Sequence, residues 1–203
     1  MPGIGEILRS LYGAWRLLVL DRHGILAFDG TRSAALRSFW VGLVVLPLII
    51  ALDAIPAGQG EEGGTRLNIW LLPLIVFYGL IRWYGRGERY WLLVAALNWS
   101  QIPQSLLLLL EAGLFLGAGH FVDLRTLQGG NELMTLAGNA MALLGLLIYI
   151  VVNFYEWFVA WIALEAGIAL PTAVLLFDLV IGYAIDYGFD HFFSVLKQSG
   201  HAG

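Results

Sequence analysis

Cysteine is absent from this chain of 203 residues, and charged residues make up only 13% of it. The absence of cysteine excludes disulfides, thiolate catalysis and cysteine-ligated metal sites. A soluble domain carries about 25% charged residues, so the low charge content argues against a water-soluble fold. The chain also lacks a linker rich in proline, glycine and serine, which indicates a single domain.

The ionisable residues give no pattern typical of an enzyme or a nucleic-acid-binding protein. The net charge is −4 and the basic residues are dispersed, which argues against a nucleic-acid partner. No serine stands in a nucleophile elbow, and no histidine–carboxylate pair stands near a candidate nucleophile. The four histidines share no metal-ligand spacing. We therefore predict no catalytic residue, no metal site and no cofactor.

Hydrophobic sequence fills the chain instead, at 59% of all residues and a mean hydropathy of +0.78. Five segments are candidates for membrane-spanning helices. They cover residues 37–55, 68–83, 90–116, 139–163 and 168–187. The second is the weakest, because the fifteen residues between Arg66 and Arg82 extend about 22 Å as a helix, against a hydrocarbon core of about 30 Å. A re-entrant segment is the alternative there.

The N-terminal region has the alternation of a surface helix over residues 4–20. One face of this helix holds six apolar residues: Ile4, Leu8, Leu11, Trp15, Leu18 and Val19. We predict an amphipathic helix that lies in the membrane interface, with docking on the helical bundle as the alternative. The predicted fold class is all-α, a polytopic transmembrane helical bundle of about five spans. Residues 1–36 form its cytoplasmic arm, 37–190 its transmembrane domain and 191–203 a short C-terminal tail.

Arginine placement predicts the orientation of these spans. The arm and the second loop together carry eight arginines, whereas the first loop, the third loop and the tail carry three basic residues. Basic residues are enriched in cytoplasmic loops, so we expect the N-terminus inside. Five spans then place the C-terminus outside. The predicted location is the inner (plasma) membrane.

Polar side chains interrupt the last three predicted spans and form a candidate intramembrane cluster. Glu156 and Asp178 are each eleven positions from Gly167, at the predicted turn between the fourth and fifth spans, so an antiparallel hairpin places them at equal depth. Two carboxylates in a low-dielectric environment cannot both remain charged cheaply, so at least one is expected to be protonated. The predicted cluster consists of Asn98, Gln101, Asn153, Glu156 and Asp178.

This cluster has two interpretations. In the structural one, the amides hydrogen-bond the acids and fix the register of the helices. In the functional one, the carboxyl groups relay a proton or a cation. A five-helix protein has little room for a substrate cavity, and no two segments form an inverted repeat, which favours the structural interpretation.

Three blocks of the chain carry a family resemblance. They are GAWRLLVLDRHGILAFDGTRSAALRSFWVGLVVLPL from Gly13, FYEWFVAWIAL from Phe154 and LLFD from Leu175. The chain resembles small inner-membrane proteins of bacteria, which in turn are similar to the Yip1 family. That resemblance implies a cytoplasmic N-terminal arm followed by five spans, and it is applied to topology alone because the Asp-Leu-Tyr-Gly-Pro motif of eukaryotic members is not found here.

The sequence therefore predicts a non-enzymatic integral membrane protein. We expect it to act as a membrane organiser or as an accessory subunit attached to other membrane components. The expected partners are the lipid bilayer and other membrane protein subunits, or a second copy of the chain. The alternative function is a small proton- or cation-coupled transporter that uses the intramembrane carboxylates.

Overall fold

The computed structural model describes residues 1–53, 71–126 and 131–200, and over these ranges its regular structure is entirely helical. The prediction of an all-α fold is confirmed. The helices are α1 (Ile4–Leu18), α2 (Arg32–Ser38), α3 (Trp40–Asp53), α4 (Leu71–Trp83), α5 (Tyr90–Thr126), α6 (Asn131–Leu164) and α7 (Ala169–Gly200). Short 3-10 helices occupy Arg22–Ala27 and Gly87–Arg89.

Two of the described helical segments are long and apolar enough to cross a membrane. They cover Gly87–Gly117 and Gly138–Leu164, and a shorter apolar stretch covers Ala169–Ile181. The predicted spans 90–116, 139–163 and 168–187 fall on α5, α6 and α7. The described parts of α3 and α4 have 14 and 13 residues, and the ends of predicted spans 37–55 and 68–83 that approach the first loop lie outside the described residues.

Helices α5 and α6 form the centre of the bundle. They have 37 and 34 residues and pack antiparallel along much of their length. Helices α1, α2 and α3 pack on α5, while α7 packs on α6 and on α4. Helix α7 continues to Gly200, through residues that the sequence analysis assigned to a tail.

Two apolar cores occupy successive turns of the α5–α6 pair. The first joins α4 and α7 to the first turns of α5 and the last turns of α6. The second joins α1, the first 3-10 helix and α3 to the adjacent turns of α5 and α6. Central residues of the first core are Phe77, Ile81, Leu93, Leu164 and Leu170. Those of the second are Leu17, Val41, Trp99, Tyr155 and Val159.

Helix α1 is docked on the bundle through a face of small residues. Ser10, Gly13, Ala14 and Leu17 are buried, and the phenol of Tyr155 on α6 donates a buried hydrogen bond of 2.9 Å to the Ala14 carbonyl. The outward face carries an exposed apolar stripe, here called the α1 stripe. Its members are Ile4, Leu8, Tyr12, Trp15 and Val19.

The docking corrects the predicted composition of the apolar face. Leu11 and Leu18, predicted to lie beside Trp15, are instead partly buried against the second core. Docking on the bundle was the alternative to a helix held by the interface alone, and the contacts of α1 show it. The position of this helix relative to a membrane is part of the proposal made below.

A close backbone approach joins α1 to the 3-10 helix that follows it. A Cβ added at Gly13 would lie 2.6 Å from the Ala27 Cβ and 2.8 Å from the Gly24 carbonyl oxygen. The chain reverses through Leu20, which has a positive φ of 62°. The amides of Leu20 and Asp21 bond back to the carbonyls of Leu17 and Arg16, closing α1 with a Schellman motif.

Asp21 stabilises this reversal. Its carboxylate accepts a bond of 2.9 Å from the His23 backbone N–H and one of 2.7 Å from the Arg16 Nε. These two interactions lower the pKa of Asp21 from 3.8 to about 2. A second ion pair, between Arg37 and Glu6 at 3.0 Å, joins α2 to α1. The N-terminal arm is therefore connected to itself and to the bundle by specific contacts.

Candidate functional site

A carboxyl–amide hydrogen bond joins the two central helices. The Gln104 side chain on α5 donates from Nε2 to Oε1 of Glu156 on α6 over 3.2 Å. Gln104 is buried and Glu156 is half-buried. Pro103 precedes Gln104 inside α5 and leaves the Trp99 carbonyl without its helical N–H donor. Polar groups from both helices thus meet in the apolar part of the bundle.

Asp178 lies on α7, the helix packed against α6, and its side chain is half-buried. Among the described contacts it forms no hydrogen bond to Glu156 or Gln104. The short α6–α7 turn makes the two helices antiparallel neighbours, which is the arrangement from which the equal depth of these acids was predicted. The structure therefore places the two acids on adjacent helices, with Gln104 as the hydrogen-bond partner of Glu156.

Gln104 takes the place that the sequence analysis gave to Gln101. In the described part of the chain, Gln101 makes no hydrogen bond to either carboxyl, and the bond to Glu156 comes from one helical turn further along α5. Counting residues from the start of α5 gave the depth to within three residues, about 4.5 Å. The rotational phase of α5, which sets the amide that faces α6, could not be counted in this way.

Asn98 lies on another face of α5 and has a different hydrogen-bond partner. It is six residues from Gln104, about 120° around the helix. Its Nδ2 donates to the Ser38 hydroxyl over 2.8 Å, and that hydroxyl donates to the Ala35 carbonyl over 2.7 Å. Both side chains are buried. Asn98 therefore fastens α2 to α5 and does not join the carboxyl pair.

Asn153 also lies apart from the carboxyl pair. Its Nδ2 donates over 2.8 Å to the carbonyl of Tyr149, one turn earlier in the same helix. It is three residues from Glu156, so its side chain leaves α6 about 60° away. Two of the five residues of the predicted cluster, Asn98 and Asn153, therefore have partners other than the two acids.

Glu111 is a further acid of α5, on the side that faces α6, and it was not among the predicted cluster residues. It follows Gln104 by seven residues, two helical turns, which keeps both on one stripe facing α6. Its Oε1 lies 2.8 Å from the position that a Cβ would take at Gly145, so the glycine leaves room for the carboxyl. The signal was present in the sequence, because an ionisable residue inside a predicted span is a candidate by default.

The carboxyl–amide site consists of Gln104, Glu156 and Asp178, while Glu111 lies beside Gly145, eleven residues (about 16 Å) along α6 from Glu156. The three site residues come from three helices, so the site can fix the register of α5, α6 and α7 through polar contacts. A protonated carboxyl in it can also exchange a proton. Within the described ranges, no group of three or more histidine, aspartate or glutamate side chains is arranged to hold a metal ion.

A hydrogen bond fixes α7 beside α6, and ring stacking and an ion pair order the last turns of α6. The indole N–H of Trp157 donates to the Thr172 hydroxyl over 3.0 Å. The Trp157 ring stacks on Phe154 and Trp161, with centroids 5.8 and 5.6 Å away. Arg89 pairs with Glu165 at the end of α6. These contacts hold the helices that carry Glu156 and Asp178.

Comparison of the chain with known protein families, with curated proteins and with solved structures gives no match.

Proposed function

We propose that this chain is a non-enzymatic, multi-pass inner-membrane protein that attaches to other membrane components through its N-terminal arm. In this proposal it has five spans, a cytoplasmic N-terminus and an outside C-terminus, the topology of the Yip1-like proteins it resembles. It acts as a membrane organiser or as an accessory subunit. The observation that carries the proposal is the exposed apolar surface of α6.

The described part of α6 is apolar on its outside as well as on its packed side. Only 22% of its apolar 18-residue stretch is buried, against 56% for the corresponding stretch of α5. A core helix of a soluble protein is mostly buried, because exposing apolar area to water costs about 25 cal/mol per Å². Exposed members of this surface are Leu143, Leu146, Leu147, Ile150 and Phe154. In contact with lipid, an exposed apolar helix surface does not incur this free-energy cost.

The exposed side of the arm has the same character. The α1 stripe runs along the outward face of a helix whose inward face is fully docked on α5 and α6. A stripe of this kind is typical of helices that lie in the membrane interface. The exposure of the α1 stripe on a docked helix supports an arm that is held by the bundle and lies at the inner membrane surface at the same time.

A proton- or cation-coupled transporter is the second candidate. The observation that favours it is the carboxyl–amide site, in which two acids, on α6 and α7, lie among apolar residues. Intramembrane acids are rare, and they often mark ion pathways. The register-fixing role needs only hydrogen bonds, whereas the transport role needs a carboxyl that gains and loses a proton.

Three experiments test the proposal. After an alkaline wash of isolated membranes, the chain should remain in the pellet and be released only by detergent; release by the wash would contradict membrane integration. Purification in mild detergent should then recover other membrane components with the chain. In proteoliposomes, we expect no proton uptake that depends on Glu156, so Glu156→Gln should behave like the wild type. Uptake by the wild type that is lost in this variant would favour the transporter.

A further inference from the structure

Helix α4 ends in a rigid cap at the predicted inner side of the bundle. Gly85 has a φ of +73°, in the left-handed region. The Gly85 amide bonds to the Arg82 carbonyl over 3.0 Å, and the Arg86 amide bonds to the Ile81 carbonyl over 3.0 Å. These two bonds form a Schellman motif, which fixes the backbone that carries the intervening side chains. We call residues 82–86 the α4 cap.

The cap presents two aromatic rings and two arginines outward. The Trp83 side chain is 83% exposed, and its ring packs edge-on against Tyr84 with centroids 5.9 Å apart. Arg82 is exposed and Arg86 half-buried. Neither arginine forms an ion pair with another described residue, whereas the nearby Arg89 is paired with Glu165. The cap therefore combines unneutralised guanidinium groups with an exposed indole.

We propose that the α4 cap binds the phosphate of an acidic phospholipid headgroup in the inner leaflet. This inference deepens the proposed function and rests on it, because it needs this end of the bundle to lie at the inner membrane surface. Guanidinium groups form paired, charge-assisted hydrogen bonds with phosphate oxygens. Indole rings favour the headgroup level of a bilayer, where the ring contacts lipid and its N–H contacts water.

A purely structural role for these arginines explains less of the cap. A cation in the last turn of a helix interacts favourably with the helix dipole, which accounts for Arg82. It does not account for Arg86, which lies beyond the end of α4, or for the exposure of Trp83. A headgroup phosphate held between the two arginines, with its acyl chains beside the indole, accounts for all three.

Lipid binding by the purified full-length chain tests the inference. Phosphatidylglycerol, or phosphatidylcholine as the uncharged comparison, is titrated into the chain in mild non-ionic detergent, and the bound lipid is counted by native mass spectrometry. We expect selective binding of phosphatidylglycerol. The double variant Arg82→Gln/Arg86→Gln should weaken it about fivefold for each arginine removed. Arg82→Lys/Arg86→Lys should restore part of it.

The matched control removes the same charge from the N-terminal arm instead of the cap. Arg9→Gln/Arg22→Gln replaces two exposed arginines outside the cap and should leave the affinity within about twofold. Equal weakening by both double variants would mean general charge attraction and would overturn the inference. So would unchanged affinity in the cap variant. If the cap variant does not fold, Trp83→Ala is measured in its place, and unchanged affinity there overturns the inference.

Two further results separate this inference from its competitors. Competition by millimolar inorganic phosphate against phosphatidylglycerol, with equal effect on the wild type and on Trp83→Ala, would indicate a free-phosphate site and overturn the lipid assignment. Membrane integration is measured on the same variants by alkaline wash. A chain that stays in the membrane without lipid selectivity refutes the cap alone, whereas a chain released by the wash refutes the proposed function.

Discussion

Substitution of Gly13 by alanine tests whether the N-terminal arm is docked as described. Alanine adds one methyl group at the point where α1 meets the first 3-10 helix. That methyl would lie 2.6 Å from the Ala27 Cβ and 2.8 Å from the Gly24 carbonyl oxygen. One of these atoms belongs to the backbone and the other to a short rigid side chain, so neither can move aside without a shift of the 3-10 helix.

The magnitude follows from two opposing effects. Overpacking of a filled site costs about 1–3 kcal/mol. Replacing glycine by alanine inside a helix stabilises it by up to about 1 kcal/mol. Because both contacts are shorter than carbon and oxygen atoms tolerate, we expect the upper part of the overpacking range and a net loss of about 1–2 kcal/mol. Gly5→Ala is the matched control, since nothing lies within 4 Å of its added Cβ.

Hydrogen exchange of the α1 amides in mild detergent measures this difference. Gly13→Ala should exchange faster than the wild type, by about 5- to 30-fold for a loss of 1–2 kcal/mol. Gly5→Ala should exchange at the same rate or more slowly, because it gains helix propensity without a clash. If Gly13→Ala slows exchange as much as Gly5→Ala does, then the close approach is absent and the arm is not docked in this way.

Three other substitutions probe the remaining contacts. Tyr155→Phe removes a buried hydrogen bond to the α1 backbone and should destabilise the arm by about 1–3 kcal/mol in an unfolding assay. Tyr149→Phe is the control, and because it lies at an exposed position of the same helix it should change stability little. Glu156→Gln should be tolerated, because its side-chain amide keeps a hydrogen bond to Gln104. Glu156→Leu leaves the Gln104 amide unpaired and should lower the unfolding temperature more. Equal effects of the two substitutions would show that the bond is unimportant. Because folding lowers the pKa of Asp21 to about 2, its stabilisation is present above pH 4 and lost as the pH falls to 2. Asp21→Asn should therefore lose less stability than the wild type over pH 4 to 2, and identical pH curves would contradict the role of Asp21.

The long helices could be predicted from the sequence because hydrophobic length alone determines them. The predicted spans 90–116 and 139–163 lie within α5 and α6, and the span 168–187 lies within α7 apart from its first residue. The start of α2 was also predictable, since Thr31 accepts a bond from the Ala34 amide as an N-cap. The helix ends were less predictable: α7 continues to Gly200 through Gly182 and Gly188, and no proline follows Pro171 to interrupt it.

The membership of the carboxyl–amide site could be predicted only in part. The placement of Glu156 and Asp178 on adjacent helices follows from a short turn between the two helices, which is a local property of the sequence. The choice of Gln104 over Gln101 depends on how α5 is rotated against α6, and side-chain packing along the whole helix pair sets that rotation. A one-turn error in register or a 60° error in phase is enough to select the wrong amide.

The docking of the arm depends on contacts that the hydrophobic pattern does not reveal. Gly13 and Gly24 meet only because the chain reverses through Leu20 in a left-handed conformation, which leucine rarely adopts. Local sequence preference argues against that turn. The Schellman bonds and the interactions of Asp21 stabilise it, and these become visible only in three dimensions.

The topology of the chain tests the central claim most directly. A reporter that is active only outside the cytoplasm, such as alkaline phosphatase, is fused after Gly203, and a cytoplasmic fluorescent reporter is fused before Met1 as the control. Five spans with the N-terminus inside predict activity from the first fusion and fluorescence from the second. A cytoplasmic signal from the fusion after Gly203, with the N-terminus still inside, would indicate an even number of spans and contradict the proposed topology.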